Sequence, residues 1–470
     1  METHYRCLIT LLLVTTLGSF TFIAKDETFV FRTTSEQLGH LRRPWQTYST
    51  QKRGICRIDT SEHRIIVIDT VEYDTTCIVT TTDVHEGIVY SYTSRDTVIT
   101  LLTDSAASNV LEQLLRITSY AAELLLHQHA SAAQTETTRL GRIHRFAGHN
   151  GLSYRITQSI NNNRIARVDV DHYSQIHGDV TVSYVYDDSL STVDSPKYVH
   201  QNIRASFRHI PMYVTSCAVV SDEMCRPYFP SALPRRLFTK GRTQQQRDSI
   251  TIVRHSQQVL IAQIPTASSR VFIFEFASFL LVAGAPLSPE NGERILDELH
   301  RLLPQKPVRY FAPGHHHPHY VGGLRPFVHA GASIICTSGD SSYYRYLSNA
   351  QHFSQPDRLQ LSPRPPVFFV VDDSLTIRDG TELSLFNIGS LSAHCDNFYV
   401  FYLPVTRELF QDELLWIREN TVGSAEVSPR QRGLVAAISK LSISVSKIYQ
   451  SWPTHRGLLL DVDAAMIGLK

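Results

Sequence analysis

Between residues 28 and 103 the chain runs in short apolar blocks and alternations rich in β-branched and aromatic residues, such as HRIIVIDTVEY and TTCIVTTTDVHEGIVYSYTS. That is the pattern of half-buried strands. The period then changes. In SNVLEQLLRITSYAAELLLHQHASAA, the residues Val110, Leu111, Leu114, Leu115, Ile117, Tyr120, Ala121, Leu124 and Leu125 hold one face at helical spacing behind Ser108 or Asn109 as cap, which predicts one helix. Alternation returns in LSYRITQSI, RIARVDVDHY and GDVTVSYVYDD, the last with Val180, Val182, Tyr184 and Tyr186 on one face. The first half reads as a mostly antiparallel β domain of α+β type.

Around residues 222 to 250 prolines, glutamines and basic residues interrupt the pattern, as in a connecting segment. Beyond it, RVFIFEFASFLLVAGAPL predicts two strands, PENGERILDELHRLLP an amphipathic helix, VRYFAPG a strand, LRPFVHAGA a short helix and SIICTSG another strand. This succession is α/β. The expected division is residues 1–24 as a leader, 25–235 as the β-rich domain and 236–470 as the α/β domain.

Length and composition narrow this picture without changing it. A chain of 470 residues exceeds the usual domain of about 100–200 residues, so two domains are expected. With 42% hydrophobic and 19% charged residues, it has enough apolar material for packed cores. Forty-five basic against 44 acidic side chains give a net charge of +1, which lacks the basic footprint of a nucleic-acid binder. At the N-terminus Arg6 precedes an uncharged apolar run from Cys7 to Ala24, closed by Lys25 and Asp26. The run reads as a secretory signal, or else as an uncleaved anchor. The expectation is an exported protein, periplasmic or secreted, that meets a membrane only through that segment if it is retained. The remaining cysteines show no Cys-x-x-Cys spacing; Cys56 with Cys77, and Cys217 with Cys225, are the pairs that could form disulfides in an oxidising compartment.

The chemistry concentrates in GHHHPHYVGG, residues 314–323. Two histidines one residue apart on an extended segment project to the same side, so His315 and His317 can reach one ion while His316 points away. The cluster follows a predicted strand and precedes a helix, where α/β sheets collect ligands. No Gly-x-Ser-x-Gly elbow accompanies it.

With the residues around it, this stretch resembles the metallo-β-lactamase superfamily, in particular exported members with an extra domain before the hydrolase domain. The family signature, Thr-His-x-His-x-Asp-His followed by Gly-Gly, matches Gly314, His315, His317, His319 and Tyr320, with Gly322 and Gly323 intact. The resemblance implies a four-layer αββα sandwich over residues 250–470 that binds metal, often two zinc ions, and hydrolyses its substrate with metal-activated water. It places the first two ligands on His315 and His317, the third on His394 in SLSAHCDNFYVFYLP, the metal-bridging carboxylate on Asp412 or Glu413, and the last histidine on His455 in SWPTHRG. The Asp and His of the second metal position become His319 and Tyr320, and the Asp of the first inner strand becomes Gly284.

A hydrolase-like protein with a degenerate site follows, holding at most one ion well. Zinc is the expected ion, and iron is the alternative if Tyr320 ligates as phenolate. His319, Asp412 and Glu413 are the residues that could orient water and carry protons. The other reading is a catalytically inactive exported binding protein descended from a metal hydrolase. Its substrate or ligand is a small molecule of unassigned class.

Overall fold

The computed structural model describes residues 26–219 apart from 39–41, 45–46, 74–75, 86–87, 94–98, 103–104, 140, 149–150, 188–196, 199, 201 and 208–209; the pair Leu237–Phe238; and residues 250–468 apart from 418–426 and 455–456. The apolar run Cys7–Ala24 and most of the connecting segment lie outside the described residues.

The alternating segments of the first half form one 14-stranded sheet. From the short edge strand Leu237–Phe238 it passes through Ile99–Leu102, Ile88–Thr93, Thr76–His85, Arg64–Tyr73 and Thr47–Asp59 to Asp26–Leu38. It continues through Ile210–Val219, Asn202–Phe207, Gly178–Asp187, Ile165–Ser174, Ser153–Gln158 and Arg142–Ala147 to Gln134–Thr137. Among the described residues its strand pairs are antiparallel except that of Leu237–Phe238 with Ile99–Leu102. Val180, Tyr184 and Tyr186 turn inward as the alternation requires, with Val182 half-buried.

The helix expected over this sheet is two helices, Ser105–Leu114 and Tyr120–Gln128. Hydrogen bonds with other segments take the place of helical ones at the break. The Tyr186 hydroxyl donates to Leu115 O at 2.8 Å, the Cys217 thiol to Ile117 O at 3.8 Å, and the Thr118 hydroxyl to Tyr198 O at 3.0 Å. Thr118 Oγ1 also accepts from Tyr120 N at 3.1 Å, starting the second helix. The expected caps, Ser108 and Asn109, fall inside the first helix. The expected disulfides are corrected as well, because Cys56 and Cys217 are free. Register sets Val67 opposite Cys56 and Thr82 opposite Val67, which leaves Cys77 too far along its strand to reach Cys56. Cys225 lies outside the described residues.

The second half is built in four layers. Its first sheet has seven strands in chain order, Thr251–Arg254, Val259–Ile264, Ser269–Glu275, Leu280–Ala283, Val308–Phe311, Ser333–Cys336 and Val367–Val370, antiparallel up to Leu280–Ala283 and parallel beyond. The second has six, Ser374–Arg378, Glu382–Asn387, Tyr399–Leu403, Glu408–Gln411, Lys447–Gln450 and Asp461–Asp463. Alternate residues of VLIAQI and SRVFIFE serve two cores, which is why these runs read as unbroken apolar blocks. Val259, Ile261, Phe272 and Phe274 face Leu385, Phe401, Phe410 and Tyr449 between the sheets, with the Phe272 and Phe410 rings 5.0 Å apart. Leu260, Ala262, Val271 and Ile273 face the helices Pro289–Leu302, Leu324–Ala330 and Ser338–Asn349. On the far side, Val400, Leu409 and Ile448 pack under Leu434, Ala437 and Ile438 of Pro429–Leu441. The order helices, sheet, sheet, helix is the αββα sandwich.

The turn after Ile165–Ser174 docks on the sandwich. Asp179 N donates to Gln351 O at 2.6 Å, its carboxylate accepts from Phe353 N and Ser354 N at 2.6 and 3.1 Å, and the Tyr173 hydroxyl meets His352 Nδ1 at 2.9 Å. Gly178 has φ +74°, and a Cβ there would sit 2.0 Å from Gln351 O. Gly178→Ala is expected to cost about 2–3 kcal/mol through strain and lost docking. Urea unfolding measures this, and an unchanged midpoint would show that the contact is not made in solution.

Candidate metal centre

The GHHHPHYVGG loop leaves strand Val308–Phe311 at the edge of the inter-sheet core and ends in the short helix Pro318–Val321. Its glycines admit close neighbours: a Cβ on Gly314 would lie 2.1 Å from Asp412 Oδ2, and one on Gly322 2.4 Å from the Leu287 carbonyl carbon. His394 comes from the turn between Glu382–Asn387 and Tyr399–Leu403. Ser392 closes that turn, its Oγ accepting from the backbone N–H groups of His394 and Cys395, both at 3.1 Å. Asp412 and Glu413 follow strand Glu408–Gln411. Two fully buried glutamines fix this segment: Gln411 Nε2 donates to Gln450 Oε1 at 2.9 Å, while their Oε1 atoms accept from Leu414 N and Leu415 N at 2.7 and 2.8 Å.

These turns bring His315, His317, His394 and Glu413 together. Glu413 Oε1 lies 2.8 Å from His394 Nε2, 3.3 Å from His315 Nε2 and 3.6 Å from His317 Nδ1, and the Nε2 atoms of His315 and His394 are 3.3 Å apart. Four ligand atoms about 2.0–2.1 Å from one ion at tetrahedral angles are about 3.3–3.4 Å from one another. Four of the separations among these atoms, 2.8 to 3.6 Å, bracket that value, so three nitrogens and one oxygen make a donor set that a metal ion could use. The ligand atoms of His315, His317, His394 and Cys395 also lie within 4.8 Å of one another.

Electrostatics suit the same purpose. Burial, with the neighbouring imidazoles, pushes His317 and His394 down to about 4, and burial lowers His315 too. Rings with such values are neutral at pH 7, the form that ligates metal. Burial alone would raise Glu413, but hydrogen bonds from His315, His317 and His394 outweigh it and hold the carboxyl well below the usual range. Burial and the Glu413 charge push Asp412 well above that range.

The two adjacent acids divide the work. Asp412 turns from the centre and its Oδ2 lies 2.8 Å from His315 Nδ1, the brace that metal-ligating histidines usually have. His316 points the other way, fully buried, its Nδ1 3.9 Å from Asp340 Oδ1.

The structure does not gather the remaining expected residues into the group. His319 packs on Trp452 at 4.7 Å, and Trp452 meets Trp416 at 5.7 Å. The buried Tyr320 ring lies against His315 at 4.4 Å, and burial with the nearby carboxylates keeps its hydroxyl well above the ordinary value, the state of a packed phenol. His455 lies outside the described residues. Ser392, Gln411, Gln450 and Arg430, whose Nη1 is 3.8 Å from Glu413 Oε2, carried no signal in the sequence. Only Ser392 and Gln411 have chain neighbours, His394 and Asp412, that pointed near them.

No family model and no curated protein matches the chain. Among solved structures it is similar to a metallo-β-lactamase from Pontibacter korlensis, with 16% identity over 46% of this chain and 95% of that one and a TM-score of 0.33. It is similar also to one from Hirschia baltica, with 14% identity over 46% and 94% and a TM-score of 0.31. A third is FIM-1 from Pseudomonas aeruginosa in its mono-zinc form, with 14% identity over 46% and 91% and a TM-score of 0.32. The second half is thus a four-layer αββα sandwich with the histidine loop at the end of strand Val308–Phe311, and an antiparallel β region precedes it.

Proposed function

We propose that this chain is a hydrolase-like protein that holds a single zinc ion on His315, His317, His394 and Glu413. The observation that carries the reading is the convergence of three imidazole nitrogens on Glu413 Oε1 at 2.8 to 3.6 Å, with the Nε2 atoms of His315 and His394 3.3 Å apart. A zinc ion there supplies Lewis acidity toward a carbonyl or phosphoryl oxygen. Asp412 holds His315 in register from behind, and Arg430 sets a positive charge beside Glu413. One feature favours the reading of an inactive binding protein: Glu413 fills the fourth position, which catalytic zinc sites leave open. The apolar run Cys7–Ala24 supports export of the protein in either case.

The test compares metal content of the purified chain with that of a His315→Ala/His317→Ala variant, after dialysis against zinc at neutral pH. About one ion per chain, lost in the variant, is expected; no ion in either protein would sink the single-ion reading. Zinc-dependent turnover of a generic ester, lactam or phosphodiester decides for the hydrolase. Stoichiometric zinc with no turnover across those classes decides for the binding protein.

A further inference from the structure

The two ring nitrogens of His317 face different partners. Nδ1 looks toward Glu413 Oε1 at 3.6 Å, and Nε2 lies 3.5 Å from Cys395 Sγ. The thiol therefore meets His317 at the ring nitrogen that does not face Glu413. His315 is arranged in the same way, with Nε2 toward Glu413 and Nδ1 on Asp412 Oδ2.

We infer that Cys395 is a positioning residue: its sulfur accepts the Nε2 proton of His317 and so holds the tautomer and ring angle that offer Nδ1 to the ion. The inference rests on the single-ion reading above. A neutral imidazole carries one proton, so a free pair on Nδ1 requires hydrogen on Nε2. That hydrogen is buried, and Sγ lies at the length expected of a hydrogen bond to sulfur. Cys395 cannot drift away from this task. It is fully buried beside Phe398, its N–H donates to Ser392 Oγ at 3.1 Å, and its carbonyl accepts from the same hydroxyl at 2.8 Å. A direct bond from the thiol to the same ion would need a tighter group than the one spread to 4.8 Å.

The experiment measures zinc and cobalt(II) affinity of the full chain by chelator competition for wild type, Cys395→Ala and Cys395→Ser. Alanine removes the acceptor and is expected to weaken binding about 10–100-fold, the range for lost partners of ligand histidines. Serine keeps an acceptor and should recover most of that loss. The cobalt(II) protein should show ligand-field bands without a sulfur-to-cobalt charge-transfer band. Equal affinities for alanine and wild type would overturn the inference. So would a charge-transfer band that vanishes in the serine variant, since the thiolate would then be a ligand. If alanine fails to fold, Cys395→Val, which lacks the acceptor and fills the space, takes its place. Wild type that binds no ion would overturn the single-ion reading, and this inference with it; the other outcomes leave that reading standing.

Discussion

Glu413→Ala is expected to lower zinc affinity by more than about 100-fold, beyond what loss of an outer hydrogen-bond partner causes, and to destabilise the protein by about 3–5 kcal/mol. Both effects have one origin. The carboxylate is buried and lies within 2.8–3.6 Å of three imidazole nitrogens, so its removal deletes a ligand, takes away the hydrogen-bond partner 2.8 Å from His394 Nε2 and leaves a cavity among buried rings. Glu413→Gln separates the two contributions. The amide oxygen can still accept from His394 and should restore much of the stability, whereas a neutral amide is a poor ligand for zinc and leaves affinity low. Equilibrium dialysis and urea unfolding of the three proteins give the answer. Wild-type affinity in the alanine variant would show that Glu413 is not the fourth ligand.

The choice between Asp412 and Glu413 marks the limit of what the chain reveals as a string. The resemblance allowed either acid, because neighbours on a turn share a register position. Their roles separate only in three dimensions, where Gln411 and Gln450 pin the segment so that one side chain enters the group and the other goes behind His315. Periodic features were legible for the opposite reason. The alternation around Val180 and Tyr184, the amphipathic helix Pro289–Leu302 and the same-side placement of His315 and His317 follow from local geometry alone. The helix break at Leu115–Ser119 was not legible, since Tyr186, Tyr198 and Cys217, which take part in it, are far along the chain. The packing of His319 on Trp452 and the Cys395–His317 contact are non-local in the same sense.

The second large effect is expected at Arg325, two residues after Gly323 of the histidine loop. Its side chain is nearly fully buried and makes a two-pronged ion pair with Asp357, Nε to Oδ2 at 2.6 Å and Nη2 to Oδ1 at 2.9 Å. Nη1 also donates to the carbonyls of Ser348 and Ala350 at 2.7 and 2.8 Å, where helix Ser338–Asn349 ends. Arg325→Leu leaves Asp357 buried without its counter-charge and should cost about 3–5 kcal/mol, whereas leucine together with Asp357→Leu should recover much of the loss. The pH dependence has a definite sign. Burial would raise Asp357, but hydrogen bonds from Arg325 and Gln360 N outweigh it and lower the carboxyl. Its contribution is therefore full above the ordinary carboxylate value of about 3.9 and is lost as pH falls through the lower folded value. In Arg325→Leu, burial acts unopposed by the arginine and raises the folded carboxyl instead, so the penalty is present at neutral pH and is relieved as protonation neutralises Asp357. The stability gap to wild type should therefore narrow in acid, and a gap that stays the same from neutral to acid pH would mean that the pair adds nothing. Because helix Leu324–Ala330 carries Arg325 and continues directly from the loop holding His315 and His317, zinc affinity of the leucine variant should fall with its stability and recover in the double variant.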